Sequence, residues 1–266
     1  ASTLDIQDAS LNSSARTLSG SGTGRIVNLG SIHAASGGAV ALLGNQVSNQ
    51  GAIVAQLGTV VLGGGSAVTL NFNGNSLVNM VVEQSVLNSL AENGGLIQAA
   101  GGMVVLSAGA KDTLLASVVN NSGEIEAHTL VNHEGQITLL AGMAGGTVNV
   151  SGSLDASAPQ GGHGGQIETS AAQVKVADTA RISTAAANGQ TGTWLIDPVD
   201  FTIGAGSGAL TSSGIGASTL ASNLATTSVR IETDASTAGN GDIAVNNAVS
   251  WSANQLTLSA HRNINI

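Results

Sequence analysis

The sequence predicts an all-β fold and, within that class, a parallel β-helix, which is a solenoid of short strands with short extra-helical excursions. Three observations carry this prediction: a repeat of about 20 residues, two short strand patterns per repeat, and an unusual composition. The chain has 266 residues, of which 37 are glycine and two are proline, and only 2% are aromatic. A narrow core of stacked coils needs many tight corners and few large rings.

Each repeat begins with the pattern Asn-x-Gly-x-Ile-x-Ala, which occurs at residues 28–34, 49–55, 93–99 and 121–127. A second pattern of Gly-x-Val-x-Leu, or Gly-x-Ile-x-Leu, follows each copy. It lies at residues 38–42, 58–62, 102–106 and 135–139. In both patterns the apolar residues stand two apart, which is the spacing of a β-strand with one buried face. No single repeat buries such a face alone, so the repeats must stack.

The corners between strands are predicted to consist of glycine and asparagine, because both residue types tolerate a positive φ. Asn45, Asn49 and Asn121 are predicted to form ladders in which side chains bond from one coil to the next. This role is structural.

Along the chain, coils are predicted over residues 1–203, with an excursion at residues 68–92. Two interpretations of this excursion stay open, an extended hairpin and a short helix, because residues 80–90 fit helical spacing about as well as strand spacing. The repeats resume at Asn93. Residues 111–118 are predicted to form a second, smaller excursion.

Residues 204–228 are predicted to form a small excursion that covers the edge of a coil. A short helix within it is indicated by Ile215, Leu220 and Leu224. Ser218 or Ser213 is expected at the N-terminus of that helix. The β-helix then continues over residues 229–266, and we expect the chain to be a truncated piece of a longer protein because its strand pattern has no polar cap.

Charge and cysteine content exclude several classes of function. The formal net charge is −9 and the seven Lys and Arg residues are scattered, so nucleic-acid binding is disfavoured. An acidic surface also disfavours adsorption to anionic lipid. The sequence has no run of 18 apolar residues, so no transmembrane helix is predicted. The chain has no cysteine, which excludes a disulfide framework but not secretion.

Histidines supply the candidate metal or haem ligands. His128 and His133 are five residues apart, with Glu126 and Glu134 beside them. A metal or haem site uses such donors. The favoured interpretation is nevertheless a set of outward-facing polar residues, to which Glu124 also belongs. The remaining histidines are His33, predicted on the surface, His163 in a glycine-rich loop, and His261.

Asp197 and Asp200 flank Pro198 and are the candidate acid pair. β-Helical polysaccharide lyases and hydrolases use clustered acids. The segment around these two residues is rich in bulky packing residues, however, so we expect a structural role. The sequence assigns no catalytic residue, no metal ligand and no cofactor, and the chain is predicted not to be an enzyme.

Four stretches resemble the exoproteins of bacterial two-partner secretion, the filamentous-haemagglutinin-like adhesins. They are residues 1–6, 95–108, 194–203 and 251–260, and together the similarity spans nearly the whole chain. The most specific stretch is Trp194-Leu195-Ile196-Asp197-Pro198 followed by Asp200-Phe201-Thr202-Ile203. It resembles the branch of high-molecular-weight adhesins, biofilm matrix adhesins and haemopexin-binding exoproteins. The Asn-Pro-Asn-Gly motif of the family's secretion domain is absent from this sequence.

The resemblance implies a right-handed β-helix that is secreted by a Gram-negative bacterium or held at its outer-membrane surface. Residues 1–203 would follow or end the secretion domain, and an outer-membrane barrel transporter would be the partner during export. The implied function is attachment to cells, matrix or host, with an exopolysaccharide, a glycan or a host surface receptor as ligand. A haem- or haemopexin-binding exoprotein for iron acquisition is the alternative, and a carbohydrate-active β-helix enzyme is the third hypothesis.

Overall fold

Short β-strands dominate the protein. The computed structural model describes residues 1–109, 117–130, 132–206, 212–236 and 238–266. Among these residues there are 28 strands, one 3-10 turn at Asp8–Ser10 and one α-helix. The fold is therefore all-β, as the sequence predicts. The described part of the chain contains no helix that is long and apolar enough to cross a membrane.

The strands are numbered in chain order. The first fourteen are β1 (Asp5–Ile6), β2 (Ala15–Ser19), β3 (Arg25–Asn28), β4 (Ser31–His33), β5 (Ala39–Gly44), β6 (Gln46–Asn49), β7 (Ala52–Val54), β8 (Thr59–Gly64), β9 (Ala67–Asn73), β10 (Ser76–Gln84), β11 (Ser89–Asn93), β12 (Leu96–Gln98), β13 (Met103–Ala108) and β14 (Ser117–Asn121).

The helix α1 (Ala217–Leu224) lies between β24 and β25, within the second fourteen strands. They are β15 (Glu124–Glu126), β16 (Gln136–Ala141), β17 (Thr147–Val150), β18 (Ser153–Asp155), β19 (Gln166–Ser170), β20 (Gln173–Val176), β21 (Arg181–Ser183), β22 (Thr193–Asp197), β23 (Phe201–Gly204), β24 (Gly214–Gly216), β25 (Ser228–Glu232), β26 (Ile243–Val245), β27 (Leu256–Ser259) and β28 (Ile264–Asn265).

Three parallel sheets contain most of these strands. The ten-stranded sheet has the order β28-β26-β23-β24-β20-β17-β14-β11-β6-β3. The six-stranded sheet has the order β21-β18-β15-β12-β7-β4, and the eight-stranded sheet has the order β27-β25-β22-β19-β16-β13-β8-β5. The chain visits the three sheets in turn, for example through β3, β4 and β5 and then through β6, β7 and β8. We call one such round a coil, and this order is the one that a parallel β-helix requires.

The repeats stack in phase, residue on residue. Ile97 pairs with Ile53 on one side and with Ile125 on the other. In the eight-stranded sheet Val104 likewise pairs with Val60 and Ile137. All of these side chains are completely buried. The alternation that the sequence shows is therefore the alternation between the interior of the coils and their outer surface.

The glycine of the Asn-x-Gly pattern is required by space in the second, third and fourth copies, and Gly30 of the first copy has open space around it. A Cβ at Gly95 would collide with the carbonyl oxygen of Gly51, and one at Gly123 would collide with that of Gly95. The φ angles of Gly51, Gly95 and Gly123 all lie outside the left-handed region. At these corners the expectation of a positive φ is therefore wrong, because the close approach of successive backbones is what excludes a side chain. The expectation is confirmed at other corners, such as Gly37, Gly101 and Asn88.

Asparagine side chains form a buried ladder beside these glycines. The side-chain amide of Asn49 donates to Oδ1 of Asn93 at 2.8 Å, and that of Asn93 donates to Oδ1 of Asn121 at 2.9 Å. Asn28 starts the ladder by donating to Asn49. The prediction for Asn49 and Asn121 is confirmed. Asn45 is not a member, because its side chain donates to the carbonyl of Gly22 instead.

A fourth sheet is antiparallel and lies on the outside of the first three coils. Its order is β1-β2-β9-β10, so β2 pairs with a strand about 50 residues further along the chain. Leu70, Leu77 and Met80 of this sheet pack against Leu43 and other outward residues of the eight-stranded sheet, and so form a second apolar core. Of the two interpretations for residues 68–92, the structure shows the hairpin, formed by β9 and β10; the helix is wrong.

The segment after β22 departs from simple stacking. β24 lies between β20 and β23 in the ten-stranded sheet, although it follows β23 in the chain. The helix α1 then takes the place of a strand and lies against β21. Oδ1 of Asn223 accepts a hydrogen bond from the backbone N–H of Ile182 at 2.9 Å. Polar side chains of the helix and of the residues that follow it thus form hydrogen bonds with the backbone at the edge of β21.

The predicted helix exists, but two details of its start are wrong. Gly216 occupies the N-cap position and Ile215 belongs to β24. Ser213 bonds to the backbone of Val174, and Ser218 lies within the helix, so neither caps it. In the predicted excursion at residues 111–118, residues 111–116 lie outside the described part of the chain.

Candidate interaction surface

The outer face of the six-stranded sheet carries a group of polar side chains that contact one another. Within each strand of this sheet the middle residue points inward, and its two neighbours therefore point outward. The in-phase stacking places Gln98, Glu126 and Asp155 in one column, one residue from each of β12, β15 and β18. Neighbouring members of such a column are about 4.8 Å apart along the axis.

Hydrogen bonds join members of this column to each other, to His128 and to the backbone of Ser157. The side-chain amide of Gln98 donates to Oε2 of Glu126 at 2.7 Å. Nε2 of His128 lies 3.1 Å from Oδ2 of Asp155, and both side chains are about 30% exposed. The backbone N–H of Ser157 donates to Oδ1 of Asp155 at 2.9 Å. The polar groups of this face are thus held in fixed positions by their neighbours.

These contacts shift the ionisation of the groups. The hydrogen bond to Asp155 raises the pKa of His128, and partial burial opposes this effect without cancelling it. Burial acts to raise the pKa of Asp155, but the hydrogen bonds from His128 and Ser157 outweigh it and lower that pKa. Burial, followed by the charge of Glu126, raises the pKa of Glu124. The imidazole and the Asp155 carboxylate therefore stabilise each other's charged form.

A cleft of about 250 Å³ lies beside Gln98 and Glu126 on this face. Its lining combines amide, carboxylate and imidazole groups with two small apolar side chains. The lining residues are Val54, Gln56, Gln98, Ala100, Glu126 and His128. They come from three successive coils, so the cleft runs along the axis of the stack. We call it the polar cleft.

The other histidines predicted as candidates are dispersed. His133 and Glu134 line a separate groove with Leu77 and Met103, so the structure does not bring them together with His128. His33 is exposed on the outer side of β4, in agreement with its predicted surface position. Within the described ranges no group of three or more His, Asp or Glu residues is arranged to hold a metal ion.

His163 and His261 lie in segments between strands. Nδ1 of His163 accepts a hydrogen bond from the backbone N–H of Gln190 at 3.1 Å. The backbone N–H of His261 donates to the hydroxyl of Thr233 at 3.2 Å. Neither histidine lines the polar cleft.

Asp197 and Asp200 have different surroundings. Oδ1 of Asp200 accepts a hydrogen bond from the backbone N–H of Asp242 at 2.8 Å, and both of its oxygens accept from the N–H of Asn240. Asp200 therefore holds the turn before β26. Asp197 lines a groove on the eight-stranded sheet with Glu232 and other residues. The bulky residues of the same segment, such as Trp194 and Phe201, are buried in the core.

Sequence reasoning found Glu124, Glu126 and His128 but missed Gln56, Gln98 and Asp155 as their companions. The missing information is the register. Gln98 and Glu126 each follow the isoleucine of the repeat, and Asp155 follows the leucine in the same place. Aligning the repeats by that residue would have placed the three in one column.

Comparison with known proteins finds similarity among solved structures. No protein-family model matches the sequence, and no curated protein matches it. The structure is similar to the crystal structure of the HMW1 secretion domain from Haemophilus influenzae, with a TM-score of 0.56 and 16% sequence identity. The similarity covers 97% of this chain and 73% of that one. At this identity it shows a shared fold and leaves function to be argued separately.

Proposed function

We propose that the chain is a right-handed parallel β-helix segment of a large bacterial exoprotein that mediates attachment. The exoprotein would be secreted or held at the outer-membrane surface. The observation that carries the proposal is the fold shared with a secretion domain over 97% of the chain. The sequence resemblance at residues 194–203 supports the same conclusion independently of the fold.

The mechanism in this proposal is display by a stiff rod. Each coil is tied to the next by backbone hydrogen bonds in three sheets and by a continuous apolar interior. Such a stack resists bending, so surfaces on its sides keep fixed positions along the rod. Many weak contacts along the rod would add through multivalency. An exopolysaccharide, a glycan or a host surface receptor is the proposed ligand.

Export would require a partner, for which we propose an outer-membrane barrel transporter. The chain contains no cysteine, so no disulfide closes before or during passage. Its repeats supply their own folding template, because each new coil buries its apolar face on the coil before it.

Deletion of the parent gene tests the adhesive function. An epitope-tagged copy of the intact gene should appear in the medium or at the cell surface, and deletion should reduce cell aggregation and surface attachment in haem-replete medium. Restoring the gene should restore both. Deletion of the transporter gene should leave the tagged protein inside the cell. Aggregation and attachment that are unchanged by deletion would contradict the adhesive function, and unchanged export without the transporter would contradict the partner.

A further inference from the structure

We propose that the polar cleft binds an oligosaccharide that carries free amino groups, with its sugar units following the axis of the stack. The inference rests on the proposed adhesive function for its biological meaning. Its experiment uses the purified chain, however, so it can fail while the adhesive function stands.

The cleft presents the kinds of polar group that bind sugars. Gln56, Gln98 and Glu126 carry planar amide and carboxylate groups, which bind neighbouring hydroxyls as donors and acceptors. The bond from Gln98 engages Oε2 of Glu126 and fixes the carboxylate plane. Gln56 makes no side-chain hydrogen bond to the described residues and is exposed, so its donor and acceptor are available. The ordering cost of binding is reduced where such groups are already fixed.

The charge of this face selects among sugars. Glu124, Glu126 and Asp155 lie on it together with His128, which is paired with Asp155, and with Arg181, which follows Ser153 in the column of Glu124. Three carboxylates against these two cations leave an excess of negative charge beside the cleft even when the imidazole of His128 is protonated. An ammonium group would be attracted and a uronic or sialic acid would be repelled. This distinguishes amino sugars from acidic sugars as ligands.

The spacing of the coils suits a chain of sugar rings. Each successive coil adds one residue to a column at a step of about 4.8 Å, which is comparable to the size of one sugar ring. Each of β7, β12, β15 and β18 already has a strand on both sides, so their backbones offer no free edge to a partner strand. Recognition at this face must therefore use side chains. Val54 and Ala100 give the cleft a small apolar surface against which a ring can lie.

Titration with three defined probes tests the inference. The probes are the glucosamine tetramer, its fully N-acetylated counterpart, and tetralysine, each titrated into the 266-residue chain and followed by calorimetry and by the side-chain amide resonances of Gln56 and Gln98. The glucosamine tetramer should bind and shift both resonances. The acetylated tetramer should bind at least about tenfold more weakly because it has lost its positive charges. Tetralysine should bind more weakly as well.

A matched pair of variants separates the cleft from general electrostatic attraction. Glu126→Gln should weaken binding of the glucosamine tetramer at least about tenfold. The control is Glu168→Gln, because Glu168 is equally half-buried, lies on the eight-stranded sheet and also accepts one side-chain hydrogen bond, from Ser170. It should leave affinity within about twofold. Absence of binding, equal losses in the two variants, or tetralysine binding as tightly as the sugar would each overturn the proposal.

Discussion

The inside of the coils and the antiparallel sheet on their outside bury apolar side chains in different ways. Inside, Ile53, Ile97 and Ile125 occupy the same place in three successive repeats. Outside, β2 and β9 join residues such as Thr17 and Thr69, which share no repeat position. The interior is thus specified by one short pattern used many times. The outer layer is specified once, by pairings that only the folded chain brings together.

This difference has a thermodynamic consequence. A buried interior residue packs against its own counterparts above and below, so a defect at one level weakens two interfaces in the stack. A defect in the outer layer weakens only that layer and the face beneath it. Substitutions on the two sides should therefore differ in size and in how far their effects extend.

The largest effect should come from the interior. Ile97→Ala removes a fully buried side chain between two isoleucines and leaves a cavity that the stacked backbones are too rigid to close. The expected loss is about 4 kcal/mol in the free energy of unfolding. Guanidinium denaturation followed by circular dichroism measures it. Ile32→Ala is the control, because Ile32 is at the end of the same column and only half-buried. Equal losses would show that the column is not the stabilising unit.

The outer layer gives the next largest effect. Met80→Ala opens a cavity in the second core, where Met80 is 2% exposed. The loss should be about 2 kcal/mol, at the lower end for such substitutions, because the hairpin can settle onto the surface beneath it. Hydrogen exchange should speed up in β9 and β10 and stay unchanged in β12. The control Val81→Ala, at a residue that is 40% exposed, should change little. Faster exchange throughout the coils would contradict the separation of the two cores.

The next effect on stability should come from a polar residue of the interior. Asn93→Ala breaks the ladder at its centre, so Asn49 loses an acceptor and Asn121 loses a donor. The expected cost is about 2 kcal/mol, since buried polar groups lose their partners. Asn149→Ala is the control, because its bond to Asn120 lies on the half-exposed outer face and should contribute little. Urea midpoints of the two variants compare the costs, and a larger loss for Asn149→Ala would contradict the ladder's role.

The interior was predictable from sequence and the outer layer was not, for the same reason. The inward-facing isoleucine, valine and leucine residues of the repeats are visible from strand alternation, because one coil repeats the next. The hairpin is ambiguous in sequence because Met80 and its neighbours have no counterparts in other repeats. The placement of β24 between β20 and β23 was not predictable, because it reverses the chain order within a sheet. Local sequence carries no information about such a crossing.

The polar cleft was predictable only in part. Glu126 and His128 are ionisable residues close together in sequence, so the pattern indicates them directly. Asp155 is 27 residues beyond His128, and its contact with the imidazole depends on the register of β15 with β18. The sequence shows the repeats but does not fix how the loops between them set that register, so the columns become certain only when the strands are aligned.

The smallest effect should come from the polar pair on the outside, and it should depend on pH. The pKa of His128 is raised above 6.5, so the stability it contributes is complete below that value and is lost as pH rises through the folded-state pKa. The pKa of Asp155 is lowered below 3.8, so its contribution is present above that value and lost as pH falls through its folded-state pKa. The stability contributions of His128 and Asp155 are therefore both present between about pH 4 and 6.5.

His128→Gln should therefore cost more stability at about pH 5.5 than at about pH 8.5. The difference should stay below about 1 kcal/mol, because both side chains are about 30% exposed and solvent screens the pair. Urea denaturation at the two pH values measures this difference, and NMR titration of the imidazole should show a lower pKa for His128 in Asp155→Asn. A cost of His128→Gln that is the same at both pH values would mean that the imidazole contributes by packing instead of by its charge, and the outer face would then be stabilised in the same way as the interior.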